Sequence, residues 1–224
     1  MLYIIIAAVT VMFGPHLWAR HVLSRYNRRE YFSGNGIDLA RLVVERLNLN
    51  EVTVEITDTG DHYDPAEKTI RLTKSVCGRK TLTAVVVAAH EVGHAIQDQN
   101  GYKPLKTRTR MIGTAQKLER IGAIIMMAVP VLAGVTRAPS VGVLMFIGGF
   151  ATLCIPLLVH LLTLPTEFDA SFKRALPLLT SGSYIPPADL PAARKILIAC
   201  ALTYVANSLM GLLNVWRWIR VLRR

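Results

Sequence analysis

Disulfide and thiolate chemistry have little to work with in this chain. Its three cysteines, Cys77, Cys154 and Cys200, are scattered and form no Cys-x-x-Cys pair. That spacing supplies neither a disulfide framework nor a thiolate zinc knot. Cys154 and Cys200 fall inside apolar runs and read as packing residues. Acidic residues are also sparse, 15 against 26 Lys and Arg, for a net charge of +11, and none stands between Glu119 and Glu167. The basic residues are not interleaved with aromatics as a single-stranded nucleic-acid groove requires, so nucleic acid is not an expected partner. They border apolar runs instead, where anionic lipid is the natural counter-charge. No positive charge precedes the first apolar run, which argues against a secretory signal and for an uncleaved anchor. Internal repeats and low-complexity stretches are lacking as well.

What is present is apolar. Of 224 residues, 52% are hydrophobic, and the mean hydropathy is +0.36. This balance predicts a membrane protein with a sizeable polar portion. Residues 1–19 read as an N-terminal transmembrane anchor, followed by Arg20, Arg25, Arg28 and Arg29 on the cytoplasmic side. Residues 20–120 read as a membrane-proximal α+β region. There, residues 36–49 carry helical periodicity, and Val52, Val54 and Ile56 alternate as a strand. The segment "DTGDHYDPAEK" reads as a turn, and "TIRLT" (69–73) as a second strand forming a hairpin with the first. Residues 121–164 hold two apolar runs, 121–135 and 141–164, separated by "TRAPS" and read as a transmembrane hairpin kinked at Pro130 and Pro156. Residues 165–195 are polar and proline-rich. Residues 196–224 combine a last apolar run with the tail "NVWRWIRVLRR", whose Arg217, Arg220 and Arg224 suit an amphipathic interfacial helix.

The most specific chemical signal is "VVVAAHEVGHAIQDQ" (85–99). On a helix, His90 and His94 stand at i and i+4 and share a face, so two imidazoles can serve one ion. Zinc accepts neutral imidazole, and a catalytic site uses three protein ligands with one position left for water. Glu91 adjoins the histidine face, where it can take a proton from a zinc-activated water; this is the metallopeptidase reading of H-E-x-x-H. The bland alternative is a core helix with histidines bonded to backbone carbonyls. A glutamate on a largely apolar helix weakens that alternative, because burying it is costly unless it is paired or used.

A third ligand must come from elsewhere. Glu167 is the best placed, since it follows Pro165, expected to break the helix where the hairpin returns to the His90 side. Asp98 and Glu119 are the runners-up. Asp98, one turn beyond His94, is better suited to orient that imidazole than to reach the same ion. Asp169 has two readings. With Thr166 it outlines a helix-capping box, and it can also hold a ligating histidine in its tautomer. Arg174 lies seven residues past Glu167, on the same face if the helix continues, and can either stabilise an oxyanion or meet lipid. His16, His21 and His160 read as interfacial and His62 as a solvated turn residue.

With these segments in view, the chain resembles the neutral zinc metallopeptidases of bacterial membranes, the YugP-like family. The resemblance rests on "AAHEVGHAIQ", "YDPAEKTIRL", "TEFDAS..RA" and "ILIACALTYVA", spread over most of the chain. It implies a membrane-embedded zinc protease with His90, His94 and Glu167 as ligands and Glu91 as catalyst. A more distant likeness is to the HtpX-type membrane proteases, whose third ligand stands in an E-[FY]-x-A-D pattern. Glu167, Phe168 and Ala170 fit that pattern, but Ser171 replaces its last Asp and Asp169 sits two places earlier.

The expected fold is a mainly α membrane protein with a small β-sheet, a gluzincin-like HExxH core and three to four transmembrane helices. The expected function is zinc-dependent endopeptidase activity on membrane or membrane-adjacent proteins, one Zn2+ per chain, with strand 69–73 as the edge on which substrate pairs. The competing reading is a non-proteolytic zinc-binding membrane protein, structural or transporting. Glu91 argues against it, because a structural site needs no base. Most flanking Lys and Arg lie on the His90 side, so the expected location is a bacterial plasma membrane with a cytoplasmic active site.

Overall fold

The computed structural model describes residues 2–137 and 139–212. It is mainly helical with one three-stranded sheet. The expected amphipathic tail around Arg217, Arg220 and Arg224 lies outside the described residues. In chain order the elements are α1 (Leu2–Arg25), α2 (Gly36–Arg46), β1 (Thr53–Thr57), β2 (His62–Asp64), β3 (Thr69–Thr73), α3 (Lys74–Cys77), α4 (Leu82–Gln99), α5 (Lys103–Thr136) and α6 (Pro139–Phe168). A π-helical segment (Asp169–Ala175), α7 (Leu176–Ser181), a 3-10 turn (Pro187–Asp189) and α8 (Leu190–Leu212) complete the described chain. These fall into two compact units, one within Met1–Phe13, Thr107–Thr163 and Tyr204–Arg224, the other within Gly14–Lys106 and Leu164–Thr203.

The first unit is built on α5 and α6. Helix α5 has 34 residues, about 51 Å of helix, so the apolar run 121–135 is only the C-terminal part of a much longer rod. The two helices approach closely at Gly122, where an added Cβ would lie 2.0 Å from Thr152 Oγ1 and 3.0 Å from Gly149 O. Small residues at a helix crossing let the two backbones approach closely. Much of the remaining apolar surface points outward, including Ile124, Val131 and Val135 on α5 and Val143, Leu144 and Leu162 on α6. Among the described residues one helical stretch, Phe146–Ser181, is long and apolar enough to cross a membrane. His160 stacks on Tyr204 at 5.4 Å, with the Arg108 guanidinium over the same ring.

The second unit is organised around α4. The Thr81 hydroxyl caps this helix by accepting from Ala84 N, while Thr83 donates to Leu23 O of α1. Residues Leu82 through Ala95 are buried without interruption, as a helix that is apolar all round must be. Helix α2, begun by an Asn35/Asp38 capping box, packs Ala40 and Val43 into the same core. Ile70 and Leu72 of β3 cover another side, and Ala193, Ile196 and Leu197 of α8 a third.

Two expectations about the sheet need correction. Strands β1 and β3 pair in parallel, Thr53 opposite Thr69 through Thr57 opposite Thr73, so they are not a hairpin. The hairpin is β2–β3, hidden in the stretch expected to be only a turn. It closes where Asp64 Oδ1 accepts from Ala66 N and Glu67 N, a side-chain mimic of a backbone turn. The strand order is β1-β3-β2, which makes Thr69–Thr73 the central strand; it is not the free edge expected to receive substrate. Arg71, on the outward face of β3, ties all three strands by bonding Glu55 of β1, Asp64 of β2 and the nearby Glu67.

The sheet is fastened to α4 by Asp98, which accepts from Tyr63 Oη at 2.9 Å and Lys68 Nζ at 2.7 Å. Burial, and then the hydrogen bond to Asp98, push the Tyr63 phenol well above the ordinary tyrosine range. A raised folded-state value means that this contribution is complete below the unfolded value of about 10 and is lost as pH climbs above it. Tyr63→Phe is therefore expected to lower stability by about 1 kcal/mol at neutral pH and to flatten the alkaline fall in Tm. Thermal melts of both proteins across an alkaline pH series check this.

Candidate metal centre

Three side chains from distant parts of the second unit converge in its interior. His90 and His94 come from adjacent turns of α4, and Glu167 from the end of α6; all three are buried. Their nearest donor atoms lie within 4.8 Å of one another. Glu167 Oε2 is 3.4 Å from His90 Nε2 and 3.2 Å from His94 Nε2, and the two rings stand edge to face at 4.9 Å.

The neighbours of each ring decide which nitrogen carries hydrogen. Gln97 Nε2 donates both to Thr166 O at 3.0 Å and to Asp169 Oδ1 at 2.9 Å. Its amide orientation is thereby set, and Oε1 faces His94 Nδ1 at 3.0 Å as an acceptor. His94 Nδ1 must then be protonated. At His90 the same result comes from a different residue. Ser171 Oγ donates to Leu197 O, a group that can only accept, so at 3.0 Å it accepts from His90 Nδ1–H. Both Nε2 atoms are thus turned towards Glu167 Oε2. Two imidazole nitrogens and a carboxylate oxygen brought together away from water suit a borderline-soft cation such as zinc, whose three-protein-ligand sites leave a fourth position open. The donor set fits.

The close approach has a backbone cause. A Cβ on Gly93 would lie 2.6 Å from Ala170 O and 3.2 Å from its carbonyl carbon. Only glycine lets α4 come this near the π-helical segment that follows Glu167. Pro165 does not break α6, which continues to Phe168 before widening into the π-helix. The wider turn brings residues four and five apart onto one side of the helix. Asp169 and Arg174 therefore meet, Nε to Oδ1 at 3.3 Å, where an α-helix would have put Arg174 over Glu167. Lys173 Nζ lies 3.7 Å from the other Asp169 oxygen.

The remaining candidates separate clearly. Asp169 caps no helix start, since Thr166 is internal to α6; it reaches His94 only through Gln97. Asp98 does not orient His94, because its carboxylate serves Tyr63 and Lys68. Glu119 belongs to the first unit. His62 lies in β2 with Nδ1 bonded to Gly60 O. Sequence reasoning missed Gln97, Ser171 and Gly93. The first two stand at helical spacing from functional residues, Gln97 three after His94 and Ser171 four after Glu167, and that spacing was the available signal.

The comparisons with known proteins agree with this chemistry. The sequence model of a family described as "Putative neutral zinc metallopeptidase" matches residues 1–223. The chain is 30% identical over 223 residues to "Putative membrane protease YugP" of Bacillus subtilis (strain 168), a match covering 98% of this chain and 95% of the relative. No solved structure matches.

Two consequences can be measured. Gln97→Leu and Ser171→Ala each remove the acceptor for one Nδ1–H while preserving approximate volume, and each is expected to weaken zinc binding about ten- to a hundredfold, read by chelator competition. Gly93→Ala is expected to cost about 1–3 kcal/mol even in metal-free protein, because the clash is with backbone; thermal denaturation with and without a chelator separates packing from metal.

Proposed function

The chain belongs to the neutral zinc metallopeptidase family, and on that premise we propose that it is a membrane-embedded zinc-dependent endopeptidase whose centre is His90, His94 and Glu167. The observation that carries the reading is the convergence of both Nε2 atoms on Glu167 Oε2 in a buried site, with both Nδ1 atoms already committed to acceptors. Zinc held there would polarise a scissile carbonyl and make water acidic enough to attack it near neutral pH.

The protein's own groups do the rest. Glu91 is the general base: it follows His90 directly on α4, is buried, and would take the proton of the attacking water and return it to the leaving amine nitrogen. Gln97 and Ser171 keep the imidazoles in the tautomer that presents Nε2. Asp169, held by Arg174, keeps Gln97 from rotating. In this reading Arg174 acts through Asp169, and an oxyanion role is left aside.

Membrane residence is supported by the outward apolar faces of α5 and α6, by the stretch Phe146–Ser181 and by the relative's name. We extend it to three to four spans, with the active site on the cytoplasmic side of a bacterial plasma membrane, as the distribution of Lys and Arg indicates. Substrates would then be membrane proteins or tails close to the bilayer.

The test is zinc content together with cleavage of an unfolded soluble protein and a membrane protein in liposomes. Glu91→Gln is expected to retain zinc and lose about 10²- to 10⁴-fold in turnover, while His94→Ala and Glu167→Gln lose the metal. Normal cleavage by Glu91→Gln would overturn the mechanism. Folded wild-type protein that takes up no zinc would overturn the centre.

A further inference from the structure

A cavity of about 580 Å³ opens beside the C-terminal end of α1. Three arginines, Arg20, Arg28 and Arg79, are among its lining residues, with Ser24 and Ser75. Among the described residues none of the three arginines forms an ion pair. Arg79 gives one N–H to Asn27 O at 3.0 Å, which leaves the rest of its fork for another acceptor. The single carboxylate on the wall, Asp61, accepts through Oδ1 from Thr73 N at 2.6 Å and from the Thr73 hydroxyl at 3.0 Å, neutral donors that leave its one negative charge in place. The three exposed arginines outnumber that carboxylate, and an anion with several oxygens offsets the remaining positive charge by charge-assisted hydrogen bonds.

The surroundings say which kind of anion. Leu17 and Trp18 on α1 are 61% and 40% exposed. Leu17, Arg20 and Ser24 follow at helical spacing along one face of α1, so the exposed Leu17 leads to the arginine-lined cavity, while Trp18 lies round the helix from that face. Exposed tryptophan at such a junction is the usual mark of a headgroup level. Free phosphate would use the cavity and ignore the apolar approach. A phospholipid uses both.

We infer that this cavity binds the phosphodiester headgroup of an anionic phospholipid, with the acyl chains lying against the exposed face of α1 at Leu17. Thr83 and Val87 form part of the same wall, so the headgroup rests on the first turns of the helix that carries His90 and His94. The inference rests on the membrane residence proposed above and is independent of the peptidase chemistry.

The test uses the full chain, reconstituted in phosphatidylcholine bilayers and then examined in detergent by native mass spectrometry with phosphatidylglycerol, phosphatidylcholine and inorganic phosphate as probes. Wild type is expected to retain phosphatidylglycerol in preference to phosphatidylcholine. Arg28→Gln, whose side chain makes no hydrogen bond or ion pair among the described residues, is expected to lose about fivefold in phosphatidylglycerol affinity. The triple variant Arg20→Gln/Arg28→Gln/Arg79→Gln is expected to lose on the order of a hundredfold, with zinc content unchanged as the check on folding. Equal retention of the two lipids by wild type, or undiminished affinity in Arg28→Gln, overturns the site while leaving membrane residence intact. Displacement of phosphatidylglycerol by inorganic phosphate at comparable concentration assigns the cavity to free phosphate and overturns the lipid. Failure of the protein to enter phosphatidylcholine bilayers overturns membrane residence and this inference with it.

Discussion

Electron pairs that point at one another do not stay together without a positive charge between them. In this protein His90 Nε2, His94 Nε2 and Glu167 Oε2 are held within 4.8 Å, in an interior where water contributes little screening. A proton or a metal ion must reconcile them, and zinc matches the donor types. Much of the second unit can be understood as what it takes to hold that arrangement. Helix α4 must be buried on nearly all sides, so it is rich in Val and Ala. It must also come within backbone contact of the segment after Glu167, and so it carries Gly93 against Ala170.

Holding the donors in place also requires hydrogen-bond partners with no freedom of their own. Gln97 is pinned by two acceptors and Ser171 by a backbone carbonyl. A buried polar network of this kind rigidifies a site only when every member is satisfied. The π-helical segment makes this possible on the far side. Its wide turn brings Arg174 within hydrogen-bonding distance of Asp169, so the carboxylate that fixes Gln97 is itself fixed. Widened turns are frequently found where function demands a geometry that an α-helix cannot supply.

Several features were legible in the sequence because they depend on local spacing. The i, i+4 histidines and the alternation of Val52, Val54 and Ile56 follow from helix and strand periods alone. Glu167 was preferred for its place after Pro165 and for the lack of any other acid between Glu119 and itself, with Asp98 and Glu119 as runners-up. The errors came where a local signal had two physical outcomes. Pro165 can break a helix, yet α6 runs through it. "DTGDHYDPAEK" has turn composition, yet part of it is the strand β2, because three residues bonded to β3 suffice for a strand. The pairing of β1 with β3 looked like a hairpin from proximity, although only the Asp64 turn selects which strands are antiparallel neighbours.

By itself, the sequence determined the helical face that presents His90, Glu91 and His94, the apolar runs, and the basic residues that border them. All of these are properties of neighbours within one or two turns, where covalent geometry sets which side chains can meet. Only the tertiary structure decided that Gln97, and not Asp98, holds His94, and that Ser171 holds His90. It also decided that Asp169 works through Gln97 while Asp98 anchors the sheet. Those assignments join residues up to 81 positions apart. They turn on which of several adjacent polar groups a particular packing leaves within about 3 Å, a choice that periodicity cannot make.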